Sequence, residues 1–155
     1  MEGSSFEEFY EQEYHAVLAY ARVMVGDRYG AEDVTQDAFS AALGSWEDLE
    51  NPSAWIRTVV ANKSRSSLRR RYAERRATER LDPVVVGSEI PEETESFWAH
   101  VRALPQRQSQ AIALFYLEDR SVADIALVLG CSESTARVHL TRGRRALAKR
   151  LGGDV

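Results

Sequence analysis

The chain of 155 residues has little of what several protein classes require. Its single cysteine, Cys131, rules out an intrachain disulfide, and the three histidines lack the spacing of zinc ligands. No apolar run approaches the roughly 18 residues that a membrane-spanning helix needs. The acidic N-terminal stretch MEGSSFEEFYEQEY lacks the basic and apolar segments of a signal peptide. We therefore expect a cytoplasmic protein with no metal, no cofactor and no membrane insertion.

Catalytic patterns are also missing from the sequence. It contains no Gly-rich phosphate loop and no plausible nucleophile–base pair, so it does not favour an enzyme with a small-molecule substrate. Its hydrophobic fraction of 44% and charged fraction of 28% are ordinary for a soluble protein with a packed core. A binding or regulatory protein is the better expectation.

Charge is abundant, and its sign alternates along the chain. The net charge of −4 is the balance of −10 over residues 1–50, +7 over 51–80, −5 over 81–119 and +4 over 120–155. Two separate basic segments indicate two contacts with a polyanion, whereas the acidic segments suit a basic partner. The alternative for each basic segment is a helix end that is merely solvated.

Apolar residues recur at three- and four-residue steps through most of the chain, which predicts helices. The pattern predicts them over residues 6–25, 31–44, 53–79, 92–103, 106–117, 122–129 and 132–151. The segment LDPVVVGSEIP, residues 81–91, interrupts the pattern with two prolines and a glycine. We predict an all-α fold of two small helical domains, a three-helix domain at 1–78 and a second domain at 92–155, joined by a flexible linker at 79–91.

Residues 121–145 have the pattern of a helix-turn-helix motif. Ser121 is a good N-cap for the helix VADIALVL, Gly130 permits the left-handed conformation that ends a helix, and Ser132 can cap the next one. The second helix of such a motif enters the major groove of DNA. A glycine-linked helix pair without a nucleic-acid role is the alternative. The residues expected to reach base edges are Ser134, Arg137, Val138, Thr141 and Arg142, and Arg144 and Arg145 are better placed for phosphates.

Two segments together resemble one bacterial family. "AEDVTQDAFSAAL" (31–43) and "NPSAWIRTVVANKSRSSLRRR" (51–71) resemble region 2 of sigma factors of the extracytoplasmic-function type, and "LPQRQSQAIALFYLEDRSVADIALVLGCSESTARVHLTRGRRAL" (104–147) is similar to region 4. The resemblance implies that the chain binds core RNA polymerase and directs recognition of the −35 and −10 promoter elements and promoter opening. It also implies an anti-sigma factor as a plausible partner.

The resemblance assigns roles to residues of the first domain. An exposed edge of the second helix, comprising Asp33, Val34, Gln36 and Asp37, would dock on core polymerase; otherwise its acids merely cap the helix. The −10 element would be bound by an aromatic and basic set. The alternative for Trp55 is packing in the core, and the alternative for Trp46 is covering the edge of the domain. Asn62 could instead form a hydrogen bond with a neighbouring backbone group. The set is Trp46, Trp55, Arg57, Asn62, Lys63 and Arg65.

Two residues depart from the family pattern. Gly143 stands where alanine is usual, at a cost of ~1 kcal/mol in helix propensity. His139 stands where a basic or polar residue is common, so DNA affinity is expected to depend mildly on pH. The competing hypothesis is a helix-turn-helix regulator that binds duplex operator DNA without polymerase and uses its first domain to sense a ligand or oligomerise.

Overall fold

The computed structural model of the protein describes residues 5–78 and 92–152, and within them the chain is all-α with no strand. The first domain contains α1 (Phe6–Val25), α2 (Arg28–Gly44), a short 3-10 turn (Trp46–Asp48) and α3 (Pro52–Thr78). The second contains α4 (Glu92–Arg102), α5 (Gln106–Tyr116), α6 (Val122–Leu129) and α7 (Glu133–Arg150). The predicted fold class is confirmed. The predicted linker at 79–91 lies outside the described residues.

Local capping explains most helix boundaries. The Ser5 hydroxyl accepts a hydrogen bond from the Glu8 backbone N–H, and the Glu8 carboxylate accepts one from the Ser5 N–H, which makes a capping box for α1. α2 begins at Arg28 rather than near Ala31, because the Asp27 carboxylate accepts a bond of 2.7 Å from Gly30 N–H. The cap thus adds nearly a turn to this helix before its apolar stripe begins.

An aromatic cluster forms one end of the first domain. Phe39 of α2 lies with its ring centroid 4.8 Å from that of Tyr10 and 5.7 Å from that of Phe9, both on α1. Trp46 closes the cluster, 5.1 Å from the Phe9 ring. Such tilted and edge-on pairs are favourable arrangements for aromatic rings. They fix the segment after α2 against α1.

The two domains pack directly on one another. α3 contacts α6, and α1 contacts both α4 and α5, so the buried residues of both domains form one continuous cluster. Much of the contact is polar: the Arg102 guanidinium donates to the Val23 carbonyl at 2.9 Å, and Thr58 Oγ1 lies 2.8 Å from the Val128 carbonyl oxygen. The domains therefore meet through specific hydrogen bonds as well as apolar surface.

Candidate nucleic-acid interface

The turn between α6 and α7 has the geometry of a helix-turn-helix. Ser121 caps α6 through Asp124 N–H, and Ser132 caps α7 through Thr135 N–H, each at 3.1 Å. Between them Gly130 has a φ of 68°, the left-handed conformation that favours glycine. α5 packs against both helices, so α7 is supported by α5 as well as by α6.

One face of α7 is buried and the other is exposed. The buried face consists of Ala136, Leu140, Gly143 and Leu147. Every residue that the sequence predicts for DNA contact on this helix lies on the exposed face; Val138, the only apolar one, is 43% exposed. The arrangement brings together a continuous surface with four cationic side chains. The exposed set is Ser134, Arg137, Val138, Thr141, Arg142, Arg144 and Arg145.

Arg144 is oriented by two aromatic residues of α5. Its Nε donates to the Tyr116 hydroxyl at 2.8 Å, and its guanidinium carbon lies 4.7 Å from the centroid of the Phe115 ring. A guanidinium over a ring face gains a cation–π attraction. Tyr116 was missed by the sequence reasoning, because only the packing of α5 on α7 brings the two positions together.

His139 lies on α7 close to other cations. Partial burial lowers the pKa of its imidazole, and the nearby Arg107 and Arg142 guanidinium groups lower it further. The ring is therefore neutral at pH 7. In the free chain, protonation of this ring therefore requires a pH below the ordinary histidine pKa of about 6.5.

The acidic edge of α2 is present, but it contains three of the four predicted residues. Asp33, Gln36 and Asp37 are exposed. Val34 is only 5% exposed and belongs to the core, so its placement on the exposed edge is wrong. Its position in the helical repeat, on the same stripe as Ala38, explains this. A groove beside the edge is lined by Asp33 and Asp37 together with residues of α3, including Lys63.

Both tryptophans predicted to meet the −10 element are half-buried. Trp46 packs edge-on against Phe6, with ring centroids 5.5 Å apart, as well as against Phe9. It thus covers the edge of the first domain, and it also lines a surface pocket beside Asn51 and Ser53. Trp55 packs against the hydrophobic core from α3.

Arg57 differs most from expectation. The sequence places it on an exposed basic face of α3, yet it is 1% exposed. Its Nε donates to both oxygens of Glu118, at 2.8 and 3.1 Å, and its Nη2 donates to Glu13 at 3.0 Å. Nη1 donates to the carbonyl and hydroxyl oxygens of Ser53, each at 3.0 Å. A buried guanidinium requires such compensation, and two carboxylates from other elements provide it.

Two more predicted −10 residues contact the second domain. Asn62 is exposed, and its carboxamide oxygen accepts a bond of 2.7 Å from Gln106 of α5 rather than bonding to a neighbouring backbone group. Arg65 donates to the Leu104 carbonyl at 3.2 Å. Lys63 lines the groove beside α2 instead.

Buried polar groups accompany Arg57 at the domain contact. Tyr20 of α1 is fully buried, and Gln110 of α5 is 4% exposed. Burial raises the pKa of the Tyr20 phenol well above its usual range, an effect that the neighbouring Gln110 side chain opposes. Tyr20 therefore stays neutral and contributes no charge to the ion pairs beside it.

Comparisons with known proteins match both domains. The family model described as "Sigma-70 region 2" matches residues 9–74, and that described as "Sigma-70, region 4" matches residues 95–147. The RNA polymerase sigma-E factor of Streptomyces coelicolor is 28% identical over 94% of this chain and 85% of its own length. The ECF RNA polymerase sigma factor SigM of Mycobacterium tuberculosis is 29% identical over 96% of this chain and 78% of its own length.

Two solved structures share the fold. The sigma factor RpoE of Bartonella quintana, in complex with the anti-sigma factor NepR, aligns with a TM-score of 0.73 and 24% identity over 97% of this chain and 98% of that chain. CnrH, in complex with the cytosolic domain of CnrY, aligns with a TM-score of 0.68 and 24% identity over 97% of this chain and 89% of that chain.

Fold and surface together define a two-domain helical protein with a basic helix-turn-helix. The two family models match in this order and together cover most of the chain. The chain therefore belongs to the sigma-70 family, among the sigma factors of the extracytoplasmic-function type. Its partners are therefore core RNA polymerase and promoter DNA. None of the helices in the described ranges is long and apolar enough to cross a membrane.

Proposed function

We propose a division of labour among three surfaces of this sigma factor. The exposed edge of α2, formed by Asp33, Gln36 and Asp37, docks on core polymerase. The exposed face of α7 reads the −35 element, with base contacts from Arg137, Val138 and Arg142. The segment from Trp46 through Arg65 binds and opens the −10 element. The protein acts in the cytoplasm, where it is a subunit that directs polymerase and is not itself an enzyme.

The single observation that carries the proposal is that exposed positive and negative charges lie on different helices, the arginines on α7 and the carboxylates on α2. A face with four arginines on α7 is suited to phosphates and guanine edges, whereas the carboxylates of α2 would repel DNA and attract a basic protein surface. Val34 packs α2 against the core of the domain and has no contact with polymerase in this proposal.

An inhibitor of the anti-sigma type is a further proposed partner. Its support is that one solved structure of the same fold is of a sigma factor bound to a protein described as an anti-sigma factor. A protein that covers the α2 edge or the exposed face of α7 would silence this chain.

The first test is Asp37→Arg in co-purification with bacterial core RNA polymerase, followed by run-off transcription. The template is a promoter selected from a random-sequence library with the wild-type holoenzyme. We expect Asp37→Arg to lose both co-purification and transcript, because a cation replaces a carboxylate on the docking face.

Glu11→Arg is the matched control, since it makes the same charge change at an exposed position of α1. It should retain both activities. Retention of core binding by Asp37→Arg would overturn the docking assignment. A wild-type chain that ignores core polymerase yet shifts duplex DNA alone would instead support the regulator hypothesis.

A further inference from the structure

The groups around Arg144 orient its guanidinium without neutralising its charge. Its Nε donates to the Tyr116 hydroxyl at 2.8 Å, and its guanidinium carbon lies 4.7 Å from the Phe115 ring centroid and 5.6 Å from that of Tyr116. No carboxylate within the described ranges pairs with it, in contrast to Arg57, which bonds to two. Arg144 is therefore fixed in direction while its whole positive charge remains available to an outside anion.

The two aromatic residues that hold Arg144 end α5 and connect the core to the surface. Phe115 is half-buried and packs against the hydrophobic core. Tyr116 meets it edge-on, with ring centroids 4.9 Å apart and an interplanar angle of 75°, and is itself 51% exposed. Such an edge-on pair is a favourable arrangement. The Tyr116 ring is thus supported from the core side, and the pair it forms with Arg144 lies at the molecular surface.

The hydrogen-bonding groups left over at this pair are donors. The Tyr116 oxygen accepts from Arg144 Nε, and because a guanidinium has no acceptor, the hydroxyl hydrogen must be donated elsewhere. The Nη1 and Nη2 groups of Arg144 bond to none of the residues that the structure describes. A phosphate group in DNA offers oxygen acceptors and a negative charge, which matches this set of donors.

Arg144 also lies on the side of α7 that carries the proposed base contacts. It follows Arg137 by seven residues, which places the two within about 20° of each other around the helix and about 10 Å apart along it. Residues near the start of a recognition helix reach base edges. A residue two turns later on the same side is better placed for the sugar–phosphate backbone, where contacts fix the register of the protein on the duplex.

We propose that Tyr116 is a DNA-binding residue outside the helix-turn-helix. Its oxygen holds Arg144, and its hydroxyl hydrogen is donated to the same backbone phosphate, beside the −35 element, that Arg144 contacts. The inference rests on the proposed role of α7 in −35 recognition and adds the end of α5 to that interface. An arginine that is already held in the free protein loses less rotamer freedom on binding, so its contact with the phosphate is stronger.

The test uses holoenzyme assembled from core polymerase and the full chain, with the promoter selected by the wild type. A series of duplexes carries a neutral methylphosphonate in place of each backbone phosphate around the −35 element in turn. Competition against the labelled, unmodified promoter gives the relative affinity for each duplex. For the wild type we expect the modification at the phosphate shared by Tyr116 and Arg144 to lower affinity on the order of tenfold.

Tyr116→Phe removes the hydroxyl and keeps the ring beside the guanidinium. We expect it to bind the unmodified promoter about fivefold more weakly, and the loss at the shared phosphate to shrink to about twofold, because one donor is gone and Arg144 is no longer held. Arg144→Ala should shrink the loss at the same phosphate. The losses at all other phosphates should stay as in the wild type, and urea unfolding of Tyr116→Phe should be unchanged.

Tyr29→Phe is the matched control, since it removes a hydroxyl from another exposed tyrosine, on α2. It should reproduce the wild-type series. An unchanged series for Tyr116→Phe would overturn the inference, as would an equal loss at every phosphate or a loss of sensitivity at a different phosphate from Arg144→Ala. A wild-type series without any sensitive phosphate beside the −35 element would instead refute the proposed role of α7, and the inference with it.

Discussion

Gly143 lies where α7 packs against α5. A Cβ built on it would meet Ile112 Cγ1 at 3.0 Å and Cδ1 at 3.3 Å, and Ile112 is fully buried. At the level of the sequence this glycine is a defect that costs helix propensity. In the packed structure it is the residue that allows two helices to approach, and the propensity it gives up is offset by the contact.

Gly143→Ala is therefore expected not to stabilise the protein. The gain of about 1 kcal/mol in helix propensity should be cancelled or exceeded by displacement of Ile112. Gly44→Ala is the control, because nothing lies within 4 Å of its Cβ position. Urea unfolding should show a gain of up to about 1 kcal/mol for Gly44→Ala alone. An equal gain for Gly143→Ala would show that the close approach is unimportant.

Arg137 and Arg145 are expected to differ in the kind of contact they make. Arg137→Ala should cost about 1–3 kcal/mol of discrimination at one −35 position, because a bidentate contact to guanine is lost. Arg145→Ala should weaken binding uniformly and reduce the salt slope by about 1, because one phosphate contact is lost. Binding of the selected promoter and its point variants by holoenzyme measures both. Identical, sequence-independent losses would contradict the assignment.

At the scale of elements, the start of α7 depends on its N-cap residue, Ser132. The Ser132 hydroxyl accepts from Thr135 N–H and lies 3.2 Å from the Ser134 hydroxyl. It therefore sets where the exposed face of α7 begins relative to the turn at Gly130. The helix cap is Ser132 and the predicted base contact is Ser134, two residues further on, so separate substitutions can distinguish the two roles.

Ser132→Ala should lower the free energy of unfolding by about 1 kcal/mol, because a backbone N–H of the first turn loses its partner. Ser134→Ala should change it by less than about 0.5 kcal/mol, because its hydroxyl is exposed. Chemical denaturation of the two variants measures the difference. The opposite order, with Ser134→Ala the more damaging, would show that the cap is misassigned.

Sequence reasoning succeeds for these elements because their determinants are local. Ser121, Gly130 and Ser132 lie within a few residues of the groups they serve, so the helix-turn-helix is readable directly. The repeat that placed Val34 on the apolar stripe was equally informative; the error came from assigning it an exposed role as well. Tyr116 escaped prediction because its partner Arg144 lies on another helix.

At the scale of the whole molecule, the contact between the domains could not be predicted from the sequence. Arg57 and Glu118 are 61 residues apart, and neither position has a pattern that distinguishes a buried ion pair from two solvated charges. The sequence indicated two domains and a segment between them. How the first domain packs on the second depends on the surface shapes of both domains, and these shapes form only after each domain has folded.

The free chain is expected to bind duplex promoter DNA weakly, with a Kd no tighter than about 1 µM at physiological salt. Arg57 of α3 is buried against Glu118 of the second domain, and the acidic surfaces oppose phosphates. Holoenzyme should bind the same DNA far more tightly. Titration of both at one fixed salt concentration measures the difference, and nanomolar sequence-specific binding by the free chain would contradict the expectation.

The cations of α7 are exposed whereas Arg57 of α3 is buried, and this difference bears on how the protein would search DNA for a promoter. In the described arrangement the chain presents to DNA the cations of α7, while Arg57 is shut away. Under the proposed roles, a protein in this arrangement samples duplex by sliding and hopping while Arg57 is kept away from unpaired DNA elsewhere in the chromosome. Non-promoter sites that are transiently single-stranded then compete less for the protein.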